Sequence, residues 1–290
     1  MQRYNIDTCA MLVEFNTSVW TARKLDRKVS DEVISTKNAA SKNAARVNKH
    51  LLAGRSELDV IVAHVGAVRA YVYDNTLPWS DSGIRLLPTV NFTTFNARMR
   101  EEEDKYWALC KSFVEVYPSL ITAQAMALGA MFKREDFPTA DSILHKFAFT
   151  VNYMPVPSAG DFRVDVGNAA QEELRRRLDE LTQERVDNAM SDVRKRLGEH
   201  LKRMSDRLTT DYIAGEAKTR RFHDSLVDGA LELCDMCKAL NFTGDVGLEQ
   251  ARRGLEQALV GIDATALRKD EPLRQDTKKA VDAILDKFSF

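Results

Sequence analysis

Residues 10–20, AMLVEFNTSVW, crowd apolar, β-branched and aromatic types into one short run, which predicts a strand. From about Ser30 the pattern predicts helix. Ala40, Ala44, Val47 and Leu51 recur at helical spacing, and Gly54 supplies a stop. Ser56 is placed to cap a second helix, in which Leu58, Ile61, Val65, Val68 and Val72 alternate in steps of three and four. Residues 74–88 read as a break containing a short strand at IRLL. A long helix is expected from near Thr94, with Phe95, Met99, Tyr106, Cys110, Phe113 and Tyr117 on its apolar side and Pro118 interrupting it. SLITAQAMALGAMF continues as a buried helix, FPTADSIL predicts a turn and a short helix, and FAFTVNYMPV a strand.

SAGDFRVDVGN reads as a linker dividing an α+β domain, 1–160, from a helical hairpin or bundle, 167–290. Beyond it, residues 169–208 are charge-dense and lack proline. Leu174, Leu178, Leu181, Val186, Met190, Val193, Leu197, Leu201, Met204 and Leu208 form one seam, with a single five-residue slip. That is a coiled-coil-like helix of about 60 Å at 1.5 Å per residue, with Glu and Arg interleaved on its other faces. Three further helices are expected at about 219–240, 246–260 and 272–287. The predicted fold class is therefore mainly α (α+β): a helical bundle with one long coiled-coil-like helix, and a small β-sheet from strands at 10–20, 84–90 and 147–155. The seam must be buried, either on the terminal helices or on another copy.

Composition narrows the function classes. The chain has 290 residues, 44% of them hydrophobic, and a net charge of −1, so no global basic field marks a nucleic-acid protein. No stretch approaches the roughly 18 apolar residues of a membrane span, so no membrane role is expected. The opening apolar run is too short for a signal peptide. Four cysteines without such a signal read as reduced thiols, which points to the cytoplasm, that of the host cell if the chain is phage-encoded.

The usual chemistries find little support. Cys234 and Cys237 form a lone C-x-x-C, but a structural zinc site needs four ligands. Phe222, Leu226, Ala230, Leu233, Cys237 and Leu240 share one helical stripe, so both thiols, and Cys110 on its own stripe, read as packing residues. The histidines are scattered, and His64 beside Val65 reads as a helix-packing residue. Phosphate-loop, dinucleotide-binding and nucleophile-elbow motifs are missing from the sequence. Asp211, Glu216 and Lys218 are only a faint echo of a metal-dependent nuclease, with helical flanks where such acids need strands. Glu101 to Asp104, EEED, reads as a solvated face near a helix start. No cofactor, metal ligand or catalytic residue is expected.

One basic stretch stands out. Arg23, Lys24, Arg27 and Lys28 are followed by Lys42, Arg46 and Lys49, which would share one face of the helix expected there. No acid lies between Lys37 and Glu57, and the first sixty residues hold ten basic against seven acidic groups. Asn16 and Trp20 nearby could contact phosphate or stack on bases. The competing readings are an ordinary solvated face or an acidic protein partner.

LVEFNTSVWTARKL, the acidic helix EEEDKYWALC, YPSLI and FPTADSILHKFAFTVNYMPV together resemble a family of uncharacterised phage and bacterial proteins. The resemblance covers residues 10–210 and is one of pattern; the last eighty residues have no counterpart in it. It implies proximity to a MoxR-type AAA+ ATPase and a CobT-like von Willebrand A protein, and it carries no catalytic residues. The leading expectation is thus a non-enzymatic, phage-type cytoplasmic binding or assembly protein: an adaptor or homo-oligomer with a protein partner or itself, serving an AAA+ ATPase. The alternative is a nucleic-acid-binding protein of phage DNA metabolism, gripping single strands or backbone through Arg23, Lys24, Arg27, Lys28, Lys42, Arg46 and Lys49.

Overall fold

The computed structural model describes residues 6–157, 168–213 and 216–288. The linker expected at 158–168 falls almost wholly outside the described residues. In chain order the elements open with the single turn α1 (Ile6–Cys9) and strand β1 (Ala10–Ser18), followed by β2 (Arg23–Leu25), α2 (Arg27–Thr36) and β3 (Asn48–His50). Next come α3 (Glu57–Asn75), β4 (Leu77–Pro78), β5 (Arg85–Pro88), α4 (Phe92–Leu128), α5 (Ala140–Ile143) and β6 (Ala148–Met154). The long α6 (Asn168–Leu208) leads to β7 (Thr210–Ile213) and β8 (Glu216–Thr219), and α7 (Ser225–Leu240), α8 (Val246–Ala258), α9 (Ala264–Lys269) and α10 (Glu271–Lys287) close the chain. The fold is mainly α with a small antiparallel sheet of four strands, in the order β4-β5-β1-β6.

The chain forms two compact units that interleave along the sequence. The larger comprises residues 1–14, 71–96 and 152–290, and the smaller residues 15–70 and 97–151, so the segment 1–160 contributes to both.

In the larger unit the long seam finds its cover within the chain. Val186, Met190, Val193, Leu197, Leu201, Met204 and Leu208 are buried, and α6 packs on α7, α10 and β4. Leu174, Leu178 and Leu181, at its amino end, are not buried. Aspartates begin the shorter helices as the cap rule demands: Asp245 accepts from Leu248 N, Asp263 from Ala266 N and Asp270 from Leu273 N. Cys234 and Cys237 sit on the buried face of α7, and burial raises their pKa values to about 11 and about 12.

The smaller unit is held by aromatic packing. Trp20 meets Tyr117 edge-on at 5.6 Å, and Phe113 lies 5.9 Å from Phe147. Trp20 is only 9% exposed, so the expectation that it offers a stacking face to bases is overturned.

Three further expectations are corrected. Pro118 does not break α4, because buried Tyr117, Leu120 and Ile121 hold the helix on both sides of it. The EEED run lies inside α4 rather than at its start. Its Glu102 is buried, with Arg98 at 2.7 Å and Lys105 at 3.2 Å, and His64 Nε2 lies 3.0 Å from its carbonyl oxygen. The segment around 211–218, read as having helical flanks, is itself a β-hairpin, with Thr210 opposite Thr219. The Asp211, Glu216 and Lys218 side chains lie outside the described residues. Among the described residues no cluster of three or more His, Cys, Asp or Glu side chains could hold a metal, and no helix is long and apolar enough to cross a membrane.

Candidate functional site

The expected helix over 40–51 does not form, and this reshapes the basic surface. After α2 the chain runs through turns and irregular backbone, with Asn38 at a φ of 51°, and returns as β3. The apolar stripe that suggested a helix was weak: Ala40 and Ala44 are exposed, and only Leu51 is fully buried. Long-range bonds decide the path instead. Ser30 Oγ donates to Asp26 O at 2.6 Å and accepts from Val47 N at 3.0 Å, and Asp26 N donates to Val47 O at 2.9 Å. These bonds tie the return segment to the start of α2.

The β2–β3 hairpin then sets which cations meet. Arg23 lies opposite His50, Lys24 opposite Lys49, and Leu25 opposite Asn48. Because side chains alternate across a strand, Lys24 and Lys49 share one face, and Arg23 lies on the other. Lys49 is 6% exposed: its Nζ donates to Met131 O at 2.9 Å, forms an ion pair with Asp136, and lies 3.5 Å from Asp26 Oδ2. Burial alone would lower its pKa, but Asp136 and Asp26 outweigh that and raise it. Asp26 is held below the usual carboxylate range, first by the amide of Val29 and then, against burial, by Lys49.

A recess of about 380 Å³ opens here, lined by Lys24, Arg27, Lys28, Lys49 and Lys133 with Leu25, Asp26 and Asp136. Five cations face two carboxylates, and Lys49 already engages both of these. Lys24, Arg27, Lys28 and Lys133 are exposed, and none of them pairs with a carboxylate among the described residues. Arg27 and Lys28 occupy the first turn of α2, which contains no acid. Cations there oppose the helix dipole, so local stability does not explain them. The Asp26 side chain already accepts from the Val29 amide at 3.2 Å, so the field that attracts anions here is that of the cations themselves.

The structure brings Lys24, Arg27 and Lys28 to one recess and adds Lys133, which arrives from 84 residues beyond Lys49 with no local signal in the sequence. Lys49 is corrected to a buried structural cation. Lys42 and Arg46 are exposed but do not line the recess, and with no helix over 40–51 the three residues share no helical face. Comparison with protein families, with characterised proteins and with solved structures finds no match.

Proposed function

We propose that this is a non-enzymatic binding protein whose ligand is the phosphate backbone of nucleic acid, held at the Lys24, Arg27, Lys28 and Lys133 recess. The observation that carries this reading is four exposed cations around one recess, none paired with a carboxylate among the described residues, two of which, Arg27 and Lys28, stand in a first helical turn that their charge disfavours. The recess has no exposed aromatic side chain among its described lining residues, so backbone contact rather than base stacking supplies the grip. Double reversal, Arg27→Glu with Lys28→Glu, is expected to abolish binding of fluorescent oligonucleotides, whereas Lys42→Glu with Arg46→Glu leaves it. Equal losses from both pairs would refute the site.

A second reading has its own support. Leu181 is 40% exposed and Leu174 and Leu178 are incompletely covered at the amino end of α6, where a helical partner could pack. On that reading the protein is a cytoplasmic adaptor or self-assembling protein, and the AAA+ ATPase implied by the sequence resemblance is a candidate partner. Light scattering on the wild type and on a triple Leu→Gln variant at these positions tests it: one common monomer mass removes the self-association arm.

A further inference from the structure

A second cationic site lies in the larger unit, independent of the recess above. A cavity of about 540 Å³ is lined among the described residues by Arg220, Arg221, Phe222, His223, Arg268 and Arg274. Two of these arginines are occupied. Arg220 pairs with Asp206, and Arg268 pairs with Asp224 at 2.6 Å, donates to Phe222 O at 3.0 Å, and lies over the Phe222 ring at 5.3 Å.

Arg274 differs. It is 3% exposed, and its hydrogen bonds are to neutral acceptors: Nη1 to Leu267 O at 3.1 Å and Nη2 to Thr210 Oγ1 at 3.3 Å. Its Nε is buried without an acceptor, and no carboxylate pairs with it among the described residues. A buried guanidinium without a counter-charge is among the costliest arrangements in a protein interior. The position adds to the cost, because Arg274 stands in the opening turns of α10, where the helix dipole also disfavours a cation. Elsewhere in this unit a buried arginine is fully compensated: Arg252, 5% exposed, bonds Glu249 at 2.8 Å and Glu256 at 3.0 Å. Arg274 therefore has the burial of a structural ion pair without the pair, beside a cavity whose other charged walls are also cationic.

We propose that the Arg274 cavity is an anion site that takes the phosphate group of a small ligand. A guanidinium fork matches phosphate oxygens in geometry and charge. Arg274 brings its positive charge and the Nε that lacks an acceptor, Arg221, exposed and without a carboxylate partner among the described residues, supplies a free fork at the rim, and Phe222 offers an apolar wall for whatever the phosphate is attached to. Free phosphate and a nucleoside monophosphate present the same group, and the test separates them.

The experiment is calorimetric titration of the full chain carrying Arg27→Glu and Lys28→Glu, so that failure of the recess does not affect the result. The probes are inorganic phosphate and adenosine monophosphate, with chloride at matched ionic strength as control. The expected result is saturable binding of at least one phosphate compound, lost in Arg274→Met. If that variant fails to fold, Arg221→Ala with Arg268→Ala, both on exposed side chains, should weaken binding about tenfold or more. Adenosine monophosphate binding much more tightly than phosphate assigns the group to an ester ligand; equal affinities assign it to the free ion. No saturable binding, or binding unchanged in the arginine variants, overturns the proposal.

Discussion

Lys49 shows how far a single residue type can mislead. Its place in a basic run suggested a phosphate grip, yet the fold buries it between Asp26 and Asp136. Removing one partner of a buried ion pair leaves the others uncompensated, so Lys49→Met should cost about 3–5 kcal/mol, read from urea melts. A loss below about 1 kcal/mol would mean the pair is solvated, as surface pairs are. The thiols make the opposite case, because the helical stripe alone predicted their burial. Cys110, Cys234 and Cys237 have pKa values pushed by burial to about 11, about 11 and about 12, whereas Cys9 is half-buried. At pH 8 a thiol reagent should modify Cys9 alone in the native protein and all four cysteines in denaturant. Lys133 had no such signal, since nothing near it in sequence shows where the return segment will bring β3.

At the scale of elements, long periodic stretches were legible and short ones were not. The seam of α6 and the stripe of α3 repeat over enough turns that packing and local pattern agree. The helix expected over 40–51 rested on four positions, of which Ala40 and Ala44 prove exposed, and the bonds from Ser30 and Asp26 to Val47 outweighed it. The β7–β8 hairpin and α9 are too short to carry a period. Burial along α6 gives a graded prediction. Leu197 is fully buried, so Leu197→Ala should cost about 2–5 kcal/mol, while Leu181→Ala, at a 40% exposed site, should cost well under 1 kcal/mol in denaturant melts. The start of α2 supports a sharper claim. Acids are favoured in a first turn, so Lys28→Glu should raise stability by about 0.3–1 kcal/mol while weakening oligonucleotide binding. Loss of both stability and binding would mean Lys28 holds the fold rather than a ligand.

For the whole molecule, mainly α architecture was readable from composition and period, but the interleaving of the two units was not, because it depends on which distant segments meet. Acid stability belongs at this scale. Glu249 is held at about 2 by its hydrogen bonds to Arg252 and Arg253, despite some burial, and Asp245 is lowered by the Leu248 amide and Arg194 against burial. Both have folded pKa values below their unfolded ones, so their contribution is fully present above about pH 4.5 and is lost as pH falls toward 2. Glu249→Gln should flatten that part of the stability–pH curve; an unchanged slope would contradict the assignment. The central claim, that the Lys24–Lys133 recess grips a phosphate backbone, is tested most directly by the salt dependence of oligonucleotide affinity. Four phosphate contacts predict a slope of log K against log salt near −3.6 for duplex and about −2.8 for single strands, reduced by roughly two contacts' worth in Arg27→Glu with Lys28→Glu. No binding at low salt, or a slope that the double variant leaves unchanged, would contradict it.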